Sequence, residues 1–170
     1  MNLSPLGKRV AVAALALALV GGLAAVLMEK PAAPAVTFTS LSGEKIPLTA
    51  LRGKVVLVNF WATSCPGCVE EMPELARVYR KFHGRGLETV AVAMSYDTPQ
   101  YVLNYTHKSG LPFIVAIDAN GSVAKAFGDI QLTPTTFVID KSGHVVQRTV
   151  GNMDFGKLQA LIERELREDT

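Results

Sequence analysis

Apolar residues fall into three patterns along this chain. Residues 10–28 form a run without a charge, which at about 1.5 Å per helical residue approaches the ~30 Å of a bilayer core. Residues 55–60 (V-V-L-V-N-F) and 87–95 (L-E-T-V-A-V-A-M-S) are short, Val-rich runs with the length and composition of buried strands. Between these two, Leu75, Ala76 and Tyr79 follow Glu70 and Glu71 at helical spacing, and His83-Gly84 supplies a stop just past Phe82. Pro73 falls inside that helix, where it removes a backbone bond and predicts a kink. Strand, helix and strand in this order predict a right-handed parallel crossover, with the carboxyl ends of the two strands side by side.

The flanking segments carry weaker patterns. Residues 36–39 and 45–48 alternate around Ser42-Gly43 and predict an N-terminal β-hairpin. Thr98 and Pro99 are an N-cap and a first helical residue for a helix carrying Tyr101, Val102 and Tyr105 and ending near Gly110. Residues 113–117 predict a short strand, 118–121 a turn, and 122–127 a short helix closed by Gly128. Residues 135–140 and 144–150, joined at Lys141-Ser142-Gly143, predict a hairpin. Asp154 then caps a last amphipathic helix through Leu158, Leu161, Ile162 and Leu166, with its charges turned to solvent.

Charge alters this picture mainly at the N-terminus. Lys8 and Arg9 precede the apolar run and predict a cytoplasmic segment 1–9, a transmembrane signal anchor 10–28 and export of the remainder. A cleaved secretory signal has the same charged start, but its apolar region is usually about 7–15 residues, so the length favours an uncleaved anchor. Residues 29–35 (E-K-P-A-A-P-A) read as a short, stiff linker, and 36–170 as one domain with a single substantial core. The net charge of +2, with no basic stripe interleaved with aromatics, argues against nucleic acid as a partner.

The chemistry is concentrated at the junction of the first buried strand and its helix. There stand the only two cysteines of 170 residues, Cys65 and Cys68, as C-P-G-C. Pro66 suits the first helical turn, where its missing N–H costs nothing. The unpaired N–H groups and positive end of the helix favour a thiolate at Cys65, and Cys68 lies one turn on. Two thiols so placed can exchange two electrons with another disulfide. A purely structural bridge over so short a loop would restrain the unfolded chain little. Zinc needs about four ligands, and His83, His107 and His144 supply no second ligand spacing. His83 is read as a helix-end residue and His107 as a solvated or half-buried one. Copper needs fewer soft ligands, to which Met94 or Met153 could add.

The run from Asn59 to Leu75, N-F-W-A-T-S-C-P-G-C-V-E-E-M-P-E-L, resembles the TlpA- and ResA-like membrane-anchored thiol–disulfide oxidoreductases, and the likeness extends over residues 36–166. The resemblance implies an α/β, thioredoxin-like fold: a central mixed sheet flanked by helices, an N-terminal β-hairpin and a central insertion at residues 113–127. It implies that Pro134, in L-T-P-T-T-F-V-I-D, forms a cis bond against the cysteines. It also implies that Trp61, Pro66, Thr133 and Pro134 line the surface where a substrate peptide adds as a strand. Asn59 stands where thioredoxin has a buried Asp, and Ser64 where a Trp normally precedes the first Cys.

The mechanism expected is attack by Cys65 on a partner's disulfide, followed by release through Cys68. With Asn59 neutral, the candidate proton acceptors for Cys68 are Glu71, Tyr96 and Asp97; the family uses an acidic residue near the end of the strand at 87–95. No cofactor is expected beyond the redox-active disulfide Cys65–Cys68. Expected partners are oxidised substrate proteins, such as apocytochrome c or copper-centre proteins, and a membrane thiol-transporting electron donor. Two other readings stay open: a non-catalytic copper-handling protein, and a thiol peroxidase. The second is opposed by Thr63, which stands one residue short of the usual T-x-x-C spacing.

Overall fold

The computed structural model describes residues 30–168, together with Leu17 and Gly21. The chain divides into two units, Met1–Lys30 and Pro31–Thr170, and the second carries the architecture that follows. Apart from Leu17 and Gly21, the expected span over residues 10–28 lies outside the described residues. Among the described residues no helix is long and apolar enough to cross a membrane.

Strand β3 (Val55–Trp61) is the spine, and all seven of its residues are buried. Its two neighbours run in opposite senses. β4 (Leu87–Ala93) pairs with it in parallel, placing Asn59 beside Ala91, and β6 (Thr135–Ile139) pairs antiparallel, placing Asn59 beside Thr136. β5 (Ile114–Ile117) extends the parallel side and β7 (Val145–Val150) the antiparallel side, giving a five-stranded mixed sheet in the order β5-β4-β3-β6-β7. β1 (Thr37–Thr39) and β2 (Lys45–Pro47) form the expected hairpin beyond the β5 edge, which it joins through a bridge between Ser40 and Ala116.

The alternation of β3 decides the two layers, since successive side chains point to opposite faces. Leu57 and Trp61 face a core shared with Met72, Leu75 and Phe82 of α1 (Pro66–Phe82), Val102 of α2 (Pro99–Ser109) and Leu158, Leu161 and Ile162 of α4 (Phe155–Arg167). Val56, Val58 and Phe60 face the other core, with Phe38 of the hairpin and Val123 and Ala124 of α3 (Ser122–Ala126). Phe60 meets Phe127 and Phe137 edge-on at centroid distances of 5.3 and 6.1 Å. Each large apolar side chain so buried contributes on the order of 1.5–3 kcal/mol from its lost water contact.

Helix α1 runs unbroken across Pro73, whose ring is exposed. His83 follows it, stacking on Tyr79 at 4.6 Å with its Nδ1 3.3 Å from the Leu87 carbonyl, a helix-end role rather than a ligand's. The stretch read as a linker is docked in its middle: the Ala33 N–H donates to the Gly143 carbonyl at 2.9 Å and the Val145 N–H to that of Pro31 at 2.8 Å. Ala32 bridges His144 between them. The open N-terminal end of β7 offers backbone groups that need partners, and residues 31–33 supply them.

Candidate active site

The carboxyl end of β3 delivers the chain into a tight turn. The Cys65 N–H donates to the Ala62 carbonyl at 3.1 Å, closing residues 62–65 just before α1 begins. Cys65 is the N-cap of α1, with Pro66 at the first helical position. Its sulfur accepts the Cys68 N–H at 3.2 Å, so a helical N–H without an intrahelical partner points at the sulfur that must carry charge. The two cysteines are disulfide-bonded, with their Cα atoms 5.3 Å apart. They differ sharply in access: Cys65 is half-buried at the surface, whereas Cys68 is fully buried in the α1–α4 core. An incoming disulfide can therefore reach Cys65 and not Cys68.

The loop before β6 forms the opposite wall. Its Thr133–Pro134 peptide is cis, and the Thr133 carbonyl oxygen lies 3.5 Å from the Cys65 sulfur. The Thr133 hydroxyl turns the other way, 3.4 Å from the Tyr96 hydroxyl. Pro134 itself is buried, and its carbonyl is held by the Gly151 N–H at 2.8 Å. Of the four residues expected to line the docking surface, Pro66 is exposed and Thr133 is partly so. Trp61 is not there. It is fully buried, packed on the Tyr105 ring at 5.4 Å, because its place on β3 aims it into the core beneath α1. Exposed apolar side chains stand instead on the segments that flank Thr133: Leu132 beside it in the chain, 65% exposed, and Tyr96, 63% exposed, against its hydroxyl.

One helical turn beyond Cys68, at Glu71, lies a buried polar group. Asn59 is fully buried on the same face of β3 as Leu57 and Trp61. Its Nδ2 donates to Glu71 Oε1 at 3.3 Å and to Thr136 Oγ1 at 2.9 Å. The other Glu71 oxygen accepts the Met153 N–H at 3.4 Å. Glu71 stands three residues after Cys68, on the same face of α1 one turn along. Burial pushes its carboxyl above the ordinary carboxylate range, and the Met153 and Asn59 donors oppose that shift only in part.

The three expected acceptors thus separate. Glu71 is buried next to Cys68 in the helix. Asp97 is buried too, but its two oxygens accept the Thr63 N–H and the Thr63 hydroxyl, each at 2.6 Å. Tyr96 is at the surface with Thr133. Sequence reasoning missed Thr136 and Asn152, and it considered Met153 only as a copper ligand, not as the backbone donor to Glu71; Asn152 Oδ1 lies where a Cβ on Gly67 would come within 2.6 Å. The available signal was Asn59, a lone amide within a Val-rich buried strand, which needs polar partners across the sheet. Among the described residues, no group of three or more His, Cys, Asp or Glu side chains is placed to hold a metal ion.

A thioredoxin-like sheet presenting one accessible and one buried cysteine at a helix start, opposite a cis-proline, defines a thiol–disulfide oxidoreductase whose redox centre is the cysteine pair itself. Residues 28–162 match the Redoxin family, and the chain belongs to it. It is 38% identical over 132 residues to the thiol–disulfide oxidoreductase ResA of Bacillus thuringiensis subsp. konkukian (strain 97-27), covering 78% of this chain and 75% of that one. It is 35% identical over 127 residues to ResA of Bacillus subtilis (strain 168), covering 75% of this chain and 70% of that one. Among solved structures it superposes on a thiol:disulfide interchange protein of the thioredoxin family from Chlorobium tepidum TLS with a TM-score of 0.74. The two are 30% identical, and the match covers 81% of this chain and 97% of that one.

Proposed function

We propose that this protein is a disulfide reductase that works on partner proteins outside the cytoplasmic membrane, held there by an anchor at residues 10–28. The Cys65 thiolate attacks one sulfur of a partner disulfide. A mixed disulfide forms, and the partner's other sulfur leaves as a thiolate and takes up a proton. Glu71 accepts the proton of Cys68. The Cys68 thiolate then attacks the Cys65 sulfur, forming Cys65–Cys68 and expelling the second partner sulfur as a thiolate, which takes up the proton that Glu71 holds. The partner gains two electrons and two protons, and the domain loses them. A membrane protein that transports thiol electrons must restore the dithiol. Apocytochrome c and copper-centre proteins are the candidate partners that the family resemblance suggests.

One observation carries the direction: the polar surroundings of the Cys65 sulfur. A strong oxidant of this fold needs an unusually stable thiolate at the first cysteine. Here that sulfur has one N–H donor, from Cys68, and faces the carbonyl oxygen of Thr133, which repels a thiolate. The Thr133 hydroxyl, which could have supported the thiolate, is turned toward Tyr96. Between the cysteines stand Pro66 and Gly67, neither with a side-chain donor. The disulfide is then hard to reduce, with a potential nearer the thioredoxin value of about −270 mV than the oxidant value of about −120 mV. Equilibration against glutathione buffers measures this, and a value near the oxidant end refutes the direction. Cys68→Ser traps mixed disulfides in membranes and Cys65→Ser traps few; equal trapping by both refutes the division of roles. The uncharged run behind Lys8 and Arg9 supports the anchor, and loss of the protein from membranes on a carbonate wash refutes it.

A further inference from the structure

Asp97 has a position in the site that proton transfer does not use. It is buried, 8% exposed, at the turn after β4, which two backbone hydrogen bonds hold. The Met94 N–H donates to the Trp61 carbonyl at 3.0 Å and the Asp97 N–H to the Met94 carbonyl at 2.9 Å. From this frame both carboxylate oxygens reach Thr63, one to its N–H and one to its hydroxyl, at 2.6 Å each. Charge-assisted bonds of that length are among the stronger ones proteins make, and a pair of them fixes both position and orientation. Thr63 is the second residue of the turn that Cys65 closes onto Ala62. The next residue back in the loop, Tyr96, lies against Thr133 on the far wall.

We infer that Asp97 is a positioning residue: through Thr63 it clasps the turn that sets the Cys65 sulfur between the Cys68 N–H and the Thr133 carbonyl. The inference rests on the reading of Cys65 as the attacking thiol and assigns Asp97 a task other than accepting the proton of Cys68. Half of that clasp is the Thr63 hydroxyl, which the side chain supplies, and half its backbone N–H, which any residue but proline keeps. Valine has its shape and lacks its hydroxyl. Serine keeps the hydroxyl and loses only a methyl.

The test uses the full-length chain in detergent, reduced, with Thr63→Val, Thr63→Ser, Asp97→Asn and the Thr63→Val/Asp97→Asn double variant. Two quantities are read: the rate at which Cys65 attacks a small aromatic disulfide, and the pH midpoint of Cys65 alkylation by iodoacetamide. A misplacement of about 1 Å costs about a hundredfold in a positioned reaction. The expected loss is therefore tenfold or more, on the order of that scale, in both Thr63→Val and Asp97→Asn. The double variant should be no slower than the slower single one, because both break the same clasp. The alkylation midpoint should rise in Thr63→Val and return in Thr63→Ser. Thr63→Val reacting within twofold of wild type, or losses that multiply in the double variant, overturns the inference. If one substitution prevents folding, the other decides the matter. The alkylation midpoint reads the clasp even in a domain that proves to be an oxidant, so failure of the reductase reading and failure of this inference are distinguishable.

Discussion

Replacing Glu71 by Gln removes one proton-accepting group from beneath Cys68 and changes little else. The amide is nearly isosteric, and its oxygen can still accept either the Met153 N–H or the Asn59 amide. The cost falls on the resolving step. Cys68 is 0% exposed, and an unassisted thiol with a pKa of about 8.5 is only a few per cent thiolate at pH 7. Burial in an apolar core lowers that fraction further. A positioned base typically contributes 10²–10⁴-fold, so resolution in Glu71→Gln should slow by about a hundredfold near neutrality. The assay preloads Cys65 with thionitrobenzoate as a mixed disulfide and follows its release by stopped flow. Wild type should give a rate that levels once Glu71 is ionised. The variant should give one that climbs about tenfold per pH unit, following hydroxide, until Cys68 itself ionises. A variant with the wild-type rate and profile between pH 6 and 7 would refute Glu71 as the acceptor.

Three further outcomes follow from the same coordinates. Because burial raises the Glu71 pKa on folding, the protonated form is favoured in the native state: its contribution is fully present below about pH 4.5 and is lost as pH rises through the folded value. Urea titrations should then show Glu71→Gln matching wild type at low pH and exceeding it at pH 8; the reverse order contradicts the burial argument. Tyr79, held up to about 12 by burial and then by the charge and hydrogen bond of Glu88, should be the last of the four tyrosines to ionise in a spectrophotometric titration, and Glu88→Gln should bring it down. Gly67→Ala gains helix propensity of up to ~1 kcal/mol but must push aside the exposed Asn152 amide, so its denaturation midpoint should rise when Asn152→Ala is added. No gain in the double variant argues against that contact.

The fold was legible because the core obeys simple periods. The Val-rich runs became β3 and β4, the C-P-G-C helix ended at Phe82, and Gly110 took the left-handed conformation that closes α2. The site was less legible where it depends on which face of a strand a residue occupies. Trp61 lies two residues beyond Asn59 on β3, so the pleat that brings Asn59 to Glu71 also drives Trp61 inside. The family resemblance suggested the surface, and strand parity overrode it. Likewise, residues 31–33 look like a linker by composition, and only the vacant backbone groups near His144 make them part of the domain. Thr63 and Asp97 are 34 positions apart, and nothing local to either signals the other.

The group beneath Cys68 runs against stability. A valine at Asn59 would continue the apolar face of β3, whereas the amide leaves its Oδ1 buried without a hydrogen-bond partner. Such an orphaned acceptor typically costs about 1–3 kcal/mol. Glu71 adds the desolvation of a carboxyl group on the same face, and its two contacts, at 3.3 and 3.4 Å, are too long to compensate fully. Packing alone would favour neither residue at its position. Together they fit the proposed role of Glu71: a buried thiol that loses its proton without water needs an acceptor beside it, and burial raises that carboxylate's affinity for a proton. Burial raises the Glu71 pKa, and the Met153 and Asn59 donors offset that only in part. Asp97 shows the contrast within the same site, since both of its oxygens are taken up at 2.6 Å by Thr63, in bonds that hold a turn. The partners that each carboxylate holds, more than its distance along the chain, divide the two proposed roles.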